Sequence, residues 1–266
     1  MKRISFFFLV IIFLFLNSCE KEEKRCIVVF FDISDSTISR RNSYFQEFKT
    51  KILPKIKEGD RIIVDVISDN PLGQARFPIN IELPFFNFIQ NKLIYESELE
   101  KIKVNISTTV ENMIRPQRIV GRTKIFEALQ LAIRIFAIYE DYDKKILVLF
   151  SDMIEDSDIA NFERIDWQRV NTDNLIQMIQ TRIRIPEFQG IKVYVVTGVN
   201  ENNPQRVDRN YNQIKNFWEE YFQKSGAIFN RSVWYGSTII EFERETKKNQ
   251  KNFISQIKSL LKKGDK

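Results

Sequence analysis

The sequence predicts an α/β fold, built on a doubly wound, mostly parallel sheet with helices on both faces. Apolar runs that do not alternate with polar residues indicate strands buried on both faces, and they occur at residues 27–31, 145–150 and 191–196. Segments with apolar residues at helical spacing lie between these runs. Strands that alternate with helices along the chain are typical of a parallel sheet.

The first half of the chain predicts two further strands. Residues 42–56 have helical spacing, and residues 61–68 form the second apolar run. We expect residues 76–83 to form a short edge strand, because Pro78 has no N–H to donate within a central ladder. Residues 85–94 are rich in apolar side chains, and we expect a helix there that packs on the sheet.

The second half contains the strongest helical pattern, at residues 125–136. Thr123 stands just before it and could serve as its N-cap. Further elements are predicted in order: helices at residues 175–185 and 212–222, a last strand at 227–235 and a terminal helix at 253–261. The whole domain is expected to span residues 26–262.

Composition excludes several kinds of site. The chain has 266 residues and no histidine, which rules out a Ser-His-Asp triad and any histidine-bound metal. Only Cys19 and Cys26 could supply thiolates, so any intrinsic metal site must be built from oxygen. The formal net charge is +6, but the basic residues are spread along the chain rather than clustered, and we therefore expect no nucleic-acid partner.

The amino terminus has the order of a secretory signal: Lys2 and Arg3, an apolar run at residues 4–16, then a short polar segment that ends in Cys19. This ending resembles the lipobox of bacterial lipoproteins. The resemblance implies a signal peptide at residues 1–18, a lipidated Cys19 that attaches the chain to the membrane, and a location in the bacterial envelope outside the cytoplasm. Residues 19–25 would be a charged tether. An uncleaved anchor and an ordinary signal peptide are the alternatives.

Polar oxygen-bearing side chains follow the ends of predicted strands. Asp32, Ser34 and Ser36 come directly after the first strand, Asp152 follows the strand at 145–150, and Thr123 precedes the helix at 125–136. Ligands of open α/β sheets bind beyond the carboxyl ends of the strands. Carboxylate and hydroxyl oxygens suit Mg²⁺ or Mn²⁺. Each residue also has a simpler interpretation, as a helix cap or as an acceptor for backbone N–H groups.

Three motifs occur in order: D-I-S-D-S at 32–36, G-R-T at 121–123 and F-S-D at 150–152. Together they resemble the von Willebrand factor A domain, with its Rossmann-like fold and its metal-ion-dependent adhesion site. Arg122 and Met153 depart from the small residues that the family commonly has at these positions.

The resemblance implies a role for each candidate ligand. Ser34 and Ser36 would bind the metal directly, and Thr123 would bind directly or through water. Asp32 and Asp152 would act largely through water. An ion with few direct carboxylates remains electrophilic, so an acidic residue of a protein partner could complete its shell. The acidic group at Glu155, Asp156 and Asp158 is either solvated or binds a second cation.

The sequence therefore predicts a lipid-anchored binding module and not an enzyme. One alternative is a Mg²⁺-dependent phosphoesterase resembling the haloacid-dehalogenase family, with Asp32 as nucleophile and Asp152 as a metal ligand. Ser34 stands where that family has its general acid, and a hydroxyl fills that role poorly. The other alternative is a structural envelope protein of the same fold that holds no metal.

Overall fold

A five-stranded sheet lies at the centre of the described fold. The computed structural model describes residues 23–74, 77–87, 89–115, 121–198 and 210–229. The predicted signal peptide, lipidated Cys19, most of the last predicted strand and the terminal helix lie outside these residues. The strands are β1 (Arg25–Asp32), β2 (Arg61–Ile67), β3 (Ile79–Glu82), β4 (Lys144–Phe150) and β5 (Lys192–Val196). Across the sheet they lie in the order β3-β2-β1-β4-β5.

Six α-helices connect or flank the strands of the described part: α1 (Arg41–Glu47), α2 (Pro71–Gln74), α3 (Lys92–Met113), α4 (Ile125–Ile138), α5 (Thr172–Gln180) and α6 (Tyr211–Lys224). Helices α4, α5 and α6 contribute to the apolar cluster on one face of the sheet, and α1 and α3 contribute to the cluster on the other. No described helix is both long enough and apolar enough to cross a bilayer.

Strand β1 is the centre of the sheet and pairs in parallel with both β2 and β4. Its side chains alternate between the two apolar clusters, which explains why the run 27–31 is apolar without interruption. Cys26 lies in this core with no exposed surface, as expected for a small buried hydrophobe, and burial raises the pKa of its thiol to about 12.

The prediction of a doubly wound, mostly parallel sheet of the von Willebrand factor A type is wrong for this chain, because the sheet is mixed. Strand β3 runs antiparallel to β2, with Arg61 opposite Glu82. A parallel crossover needs about a dozen residues or more, usually including a full helix. The connection at 68–78 is shorter than this, and the helix in its described part, α2, has four residues, so the chain turns back along β2 instead. The expected edge position of this strand is confirmed.

The prediction of a packed helix at residues 85–94 is also wrong. Helix α3 begins at Lys92, where the Asn91 side chain accepts a hydrogen bond from the Leu93 N–H. The side chains of Phe85, Ile89 and Leu93, around this point, are exposed. Farther along α3, Ile106 and Val110 are buried against the sheet.

Helix α4 is capped by a residue distant in sequence. Glu155 Oε2 accepts hydrogen bonds from the N–H groups of Ile125 (2.6 Å) and Phe126 (3.1 Å), whereas no cap bond comes from the side chain of Lys124 at the N-cap. The expected cap at Thr123 is therefore replaced by a buried carboxyl group. Burial outweighs the hydrogen bonds from Ser157 and the helix amides, and the pKa of Glu155 is raised to about 8.

This buried carboxyl predicts a pH-dependent stability. The folded chain retains the Glu155 proton up to about pH 8, whereas the unfolded chain loses it near pH 4.5, so its contribution to stability decreases as pH rises through that window. Glutamine accepts the same two N–H bonds and does not ionise. The free energy of unfolding of the wild type should therefore fall relative to that of Glu155→Gln as pH rises. Between about pH 5 and about pH 8 the difference should change by about 3 kcal/mol in favour of the variant.

Denaturant titration at both pH values measures this difference. Asp158→Asn is the matched control, because the Asp158 side chain is 87% exposed. An equal effect of Glu155→Gln at the two pH values would contradict the prediction.

Candidate metal centre

Asp32 ends the central strand β1 and is completely buried. Its Oδ1 accepts a hydrogen bond from the Ser34 N–H (2.9 Å), and its Oδ2 accepts one from the Ser151 hydroxyl (2.7 Å). These two bonds orient the carboxylate at the carboxyl edge of the sheet. They also link the first candidate loop to the residue that precedes Asp152.

The two serines converge beyond β1. Their hydroxyl oxygens lie 3.1 Å apart, with Ser34 buried and Ser36 exposed. The Thr37 hydroxyl stabilises the turn by donating to the carbonyls of Asp32 (2.9 Å) and Ser34 (2.8 Å). The turn therefore presents two adjacent hydroxyl groups, one of them accessible from solvent.

Arg41 stabilises this loop through hydrogen bonds to its backbone, and no sequence pattern distinguishes it as a site residue. Its side chain is buried, and its guanidinium donates to the carbonyls of Ile33, Ser34 and Arg115. The loop after β1 is thereby connected to the end of α3. In the sequence Arg41 is one of many basic residues, and only its burial distinguishes it.

Asp152 follows β4 on the same edge of the sheet and is 5% exposed. Its Oδ1 accepts a hydrogen bond from the Ile154 N–H (3.2 Å), and its Oδ2 lies 3.6 Å from the Arg40 guanidinium. Arg40 is thus a cation within the candidate site, and nothing in the motif pattern indicated it.

Met153 shows how the chain accommodates its departure from the family pattern. Its φ of 64° is in the left-handed region that glycine adopts freely. A side chain there costs about 1–2 kcal/mol. Its N–H bonds to the Ser151 hydroxyl (2.9 Å), its carbonyl accepts from the Trp218 indole (2.8 Å), and its side chain is buried. Packing therefore retains the turn without glycine.

The two carboxylates interact unfavourably. Burial, and after it the negative charge of Asp152, raise the pKa of Asp32 to about 6, although hydrogen bonds from Ser151 and Ser34 oppose the rise. Burial and the same two carboxylates also raise the pKa of Tyr44, whose hydroxyl bonds to the Thr197 carbonyl (3.2 Å). The site concentrates negative charge in a region of low polarity, where a cation is stabilising.

Thr123 lies on the segment that leads into α4, and it is 4% exposed. Its carbonyl accepts a hydrogen bond from the Asp156 N–H (2.9 Å), in the loop that follows Asp152. Glu155, in the same loop, caps α4. These bonds position Thr123 relative to the loop that carries Asp152.

The remaining acidic residues of this loop are paired rather than grouped for a second cation. The Arg122 guanidinium lies 3.9 Å from the Asp156 carboxylate and 2.9 Å from the Asp158 carboxylate. Glu155 is buried at the start of α4. The loop is therefore tied to the Thr123 segment by ion pairs at the surface as well as by the buried cap.

The donors fit a hard, oxygen-preferring cation. The carboxylates of Asp32 and Asp152 and the hydroxyls of Ser34 and Ser36 follow the paired strands β1 and β4 at one edge of the sheet, and Arg40 is the cation beside Asp152. Thr123 is linked to this edge through the backbone of the loop that carries Asp152. In the part of the chain that the structure describes, no three acidic, histidine or cysteine side chains form a conventional ligand cluster. A metal here would depend on serine and threonine hydroxyls and on water for most of its shell.

No protein-family model and no curated protein matches this chain. Three domains of the type V pili tip protein Mfa5 from Porphyromonas gingivalis align at 19% identity and TM-score 0.35, over 70% of this chain and 29% of that one. The pilus adhesin SpaC from Lactobacillus rhamnosus GG aligns at 12% identity and TM-score 0.43, over 89% of this chain and 31% of SpaC. The human COPII-coat protein Sec24c aligns at 14% identity and TM-score 0.33, over 68% of this chain and 27% of Sec24c. This chain spans less than a third of each of these chains, and similarity at this level carries no argument about function.

Proposed function

We propose that this protein is a lipid-anchored binding module that holds Mg²⁺ or Mn²⁺ at Asp32, Ser34, Ser36, Thr123 and Asp152. An acidic residue of a protein partner completes the shell of the ion. The observation that carries the proposal is the convergence of the Ser34 and Ser36 hydroxyls, 3.1 Å apart, beside a buried and oriented Asp32.

The chemistry of the site supports an ion that remains open to a partner. Mg²⁺ prefers octahedral oxygen coordination and retains water readily. Hydroxyl ligands are neutral, so they leave the ion with most of its charge, and a partner carboxylate replaces water favourably. The exposure of Ser36 gives such a group access. This arrangement agrees with the resemblance of the three motifs to the metal-ion-dependent adhesion site.

The anchor is the second part of the proposal. Lipid on Cys19 would hold the mature chain in the bacterial envelope, outside the cytoplasm, with the metal centre available to other envelope proteins. The ordered basic, apolar and short polar segments that end at Cys19 support this placement.

The position of Asp32 favours metal binding over phosphoester hydrolysis. A nucleophile must reach its substrate, yet Asp32 has no exposed surface, and hydrogen bonds engage both of its oxygens. One of these hydrogen bonds is donated by the backbone N–H of Ser34. These contacts orient Asp32 toward the protein rather than toward a substrate.

A metal-free binding module is the second candidate, and Arg40 favours it. The Arg40 guanidinium lies 3.6 Å from Asp152 and can balance that carboxylate without a metal. In this alternative the site is a closed internal ion pair, and the partner binds by other contacts. Cation binding by the purified protein distinguishes the two candidates.

Mg²⁺ or Mn²⁺ should raise the melting temperature of the wild-type protein, because a ligand that binds only the folded state stabilises it. Ser36→Ala should weaken cation affinity about tenfold or more, since it removes one oxygen donor. Ser39→Ala, an exposed serine of the same turn, is the matched control and should bind like wild type. Titration calorimetry measures the affinities, and equal affinity in the two variants would contradict the ligand assignment.

Arg40→Gln should increase Mg²⁺ affinity by about threefold to tenfold, because it removes a positive charge near the ion. Arg169→Gln removes a charge whose side chain is 88% exposed, and it should have no effect. If Arg40→Gln binds no cation and loses stability instead, Arg40 takes the place of a metal and the second candidate is correct.

Partner binding should require the ion. Envelope proteins that co-purify with the wild-type chain after solubilisation should be lost when EDTA is added or when Ser36→Ala is used. They should still co-purify with Ser39→Ala. Binding that persists in EDTA would contradict the role of the metal in recognition.

A further inference from the structure

An exposed apolar patch lies between β3 and the first turns of α3. We define it by five side chains with large exposed fractions: Phe85 (48%), Phe86 (38%), Ile89 (80%), Leu93 (76%) and Ile94 (54%). Exposed apolar residues are ordinary when scattered, but a contiguous group marks an interaction surface. This patch is also where the expectation of a packed helix was wrong.

The patch lies at the end of the sheet where the chain enters β1. The Lys24 ammonium is 5.0 Å from the centre of the Phe85 ring, and the Phe86 N–H donates to Glu58 (2.7 Å), just before β2 begins. Arg25 forms an ion pair with the buried Asp60, which holds the entry point in place. The patch and the entry point therefore form one surface.

The candidate metal centre lies at the other end of the same strands. Asp32 is the last residue of β1, and Arg25 is its first. A strand of this length separates the two ends by roughly 25 Å. A surface that contacts the patch therefore leaves the metal centre free.

The tether limits how far the patch can lie from a membrane. Cys19 and Lys24 are separated by a segment that spans at most about 18 Å when fully extended. Lipid on Cys19 would hold Lys24, and the Phe85 ring against it, within that distance of the bilayer.

The side chains around the patch suit a lipid interface. Phe86, Lys57 and Lys92 line one surface groove. Aromatic and branched apolar side chains flanked by lysines are typical of surfaces that lie in the headgroup region. The carboxylates at the groove are engaged: Glu58 accepts from the Phe86 N–H and the Tyr95 hydroxyl (3.3 Å), and Glu96 pairs with Lys92 (3.7 Å).

We propose that this patch docks on the lipid bilayer that carries the acyl chains of Cys19. The inference rests on the lipid anchor of the proposed function. Docking would orient the chain with the amino ends of β1 and β2 toward the membrane and Ser36 toward the surrounding space. It fixes an orientation that attachment through Cys19 alone would leave free.

Depth measurement on the lipidated protein tests this inference. Ile89→Cys and Val104→Cys each introduce one exposed thiol, because Cys26 is buried and Cys19 carries lipid. Val104 lies farther along α3 and is 56% exposed, which makes it the matched control. Each variant is labelled with an environment-sensitive fluorophore and reconstituted into phosphatidylethanolamine–phosphatidylglycerol vesicles with spin-labelled acyl chains. Quenching should be about twofold or more stronger at position 89, since interfacial segments lie about 5–10 Å into the headgroup boundary.

Additional substitutions in the Ile89→Cys protein confirm the source of the contact. Leu93→Ser together with Ile94→Ser should reduce the quenching, whereas Val104→Ser, at an exposed position farther along the same helix, should not. Equal quenching at positions 89 and 104 in protein that floats with the vesicles overturns the inference alone. Protection of position 89 from aqueous iodide without lipid quenching also overturns it, because a protein or a second copy then covers the patch.

Protein that does not float, with no acyl group on Cys19 by mass spectrometry, overturns the anchor and this inference together. Cation binding measured on the same preparation stays informative about the metal centre in every case.

Discussion

The burial of two carboxylates, Asp32 and Asp152, is the constraint on which the carboxyl end of the sheet depends. Neither side chain has the solvent that would ordinarily stabilise its charge. The surrounding structure compensates in several ways: Ser151 and the Ser34 N–H bond to Asp32, and Arg40 approaches Asp152. A divalent cation held by the neighbouring hydroxyls would complete this compensation, and that is the physical basis of the proposed site.

The loops around the carboxylates are held by groups from distant parts of the chain. Arg41 joins the first loop to the end of α3, and Glu155 joins the loop after β4 to the start of α4. Met153 keeps a left-handed turn that a glycine would form without cost, because its carbonyl is bound by Trp218 and its side chain is packed. These supports place the candidate ligands on a rigid edge rather than on free loops.

The two ends of the sheet have different chemistry. The carboxyl end collects carboxylates and hydroxyls, while the amino end presents Phe85, Ile89 and their apolar neighbours beside the point where the chain enters. In the proposed orientation one end faces lipid and the other faces a partner. The parallel pairing of β1 with β2 and β4 produces this polarity, because it brings like ends of three strands together.

Local patterns in the sequence determined where the strands and the main helix lie. The apolar runs at 27–31, 61–68, 145–150 and 191–196 became β1, β2, β4 and β5, since a strand buried on both faces needs an uninterrupted apolar run. The pattern at 125–136 became α4. The direction of β3 was decided by its short connection to β2, which no local pattern records.

Only the tertiary structure decided the environment of single residues. Glu155 is predicted to be one member of an acidic loop, yet it is buried and caps α4. Residues 85–94 are predicted to form a packed helix, yet Ile89 and Leu93 are exposed. Arg40 and Arg41 are adjacent and alike in sequence, but one approaches Asp152 and the other supports the Ser34 loop. Periodicity reports which residues share a face of their own element, whereas burial and charge pairing depend on what other elements bring to that face.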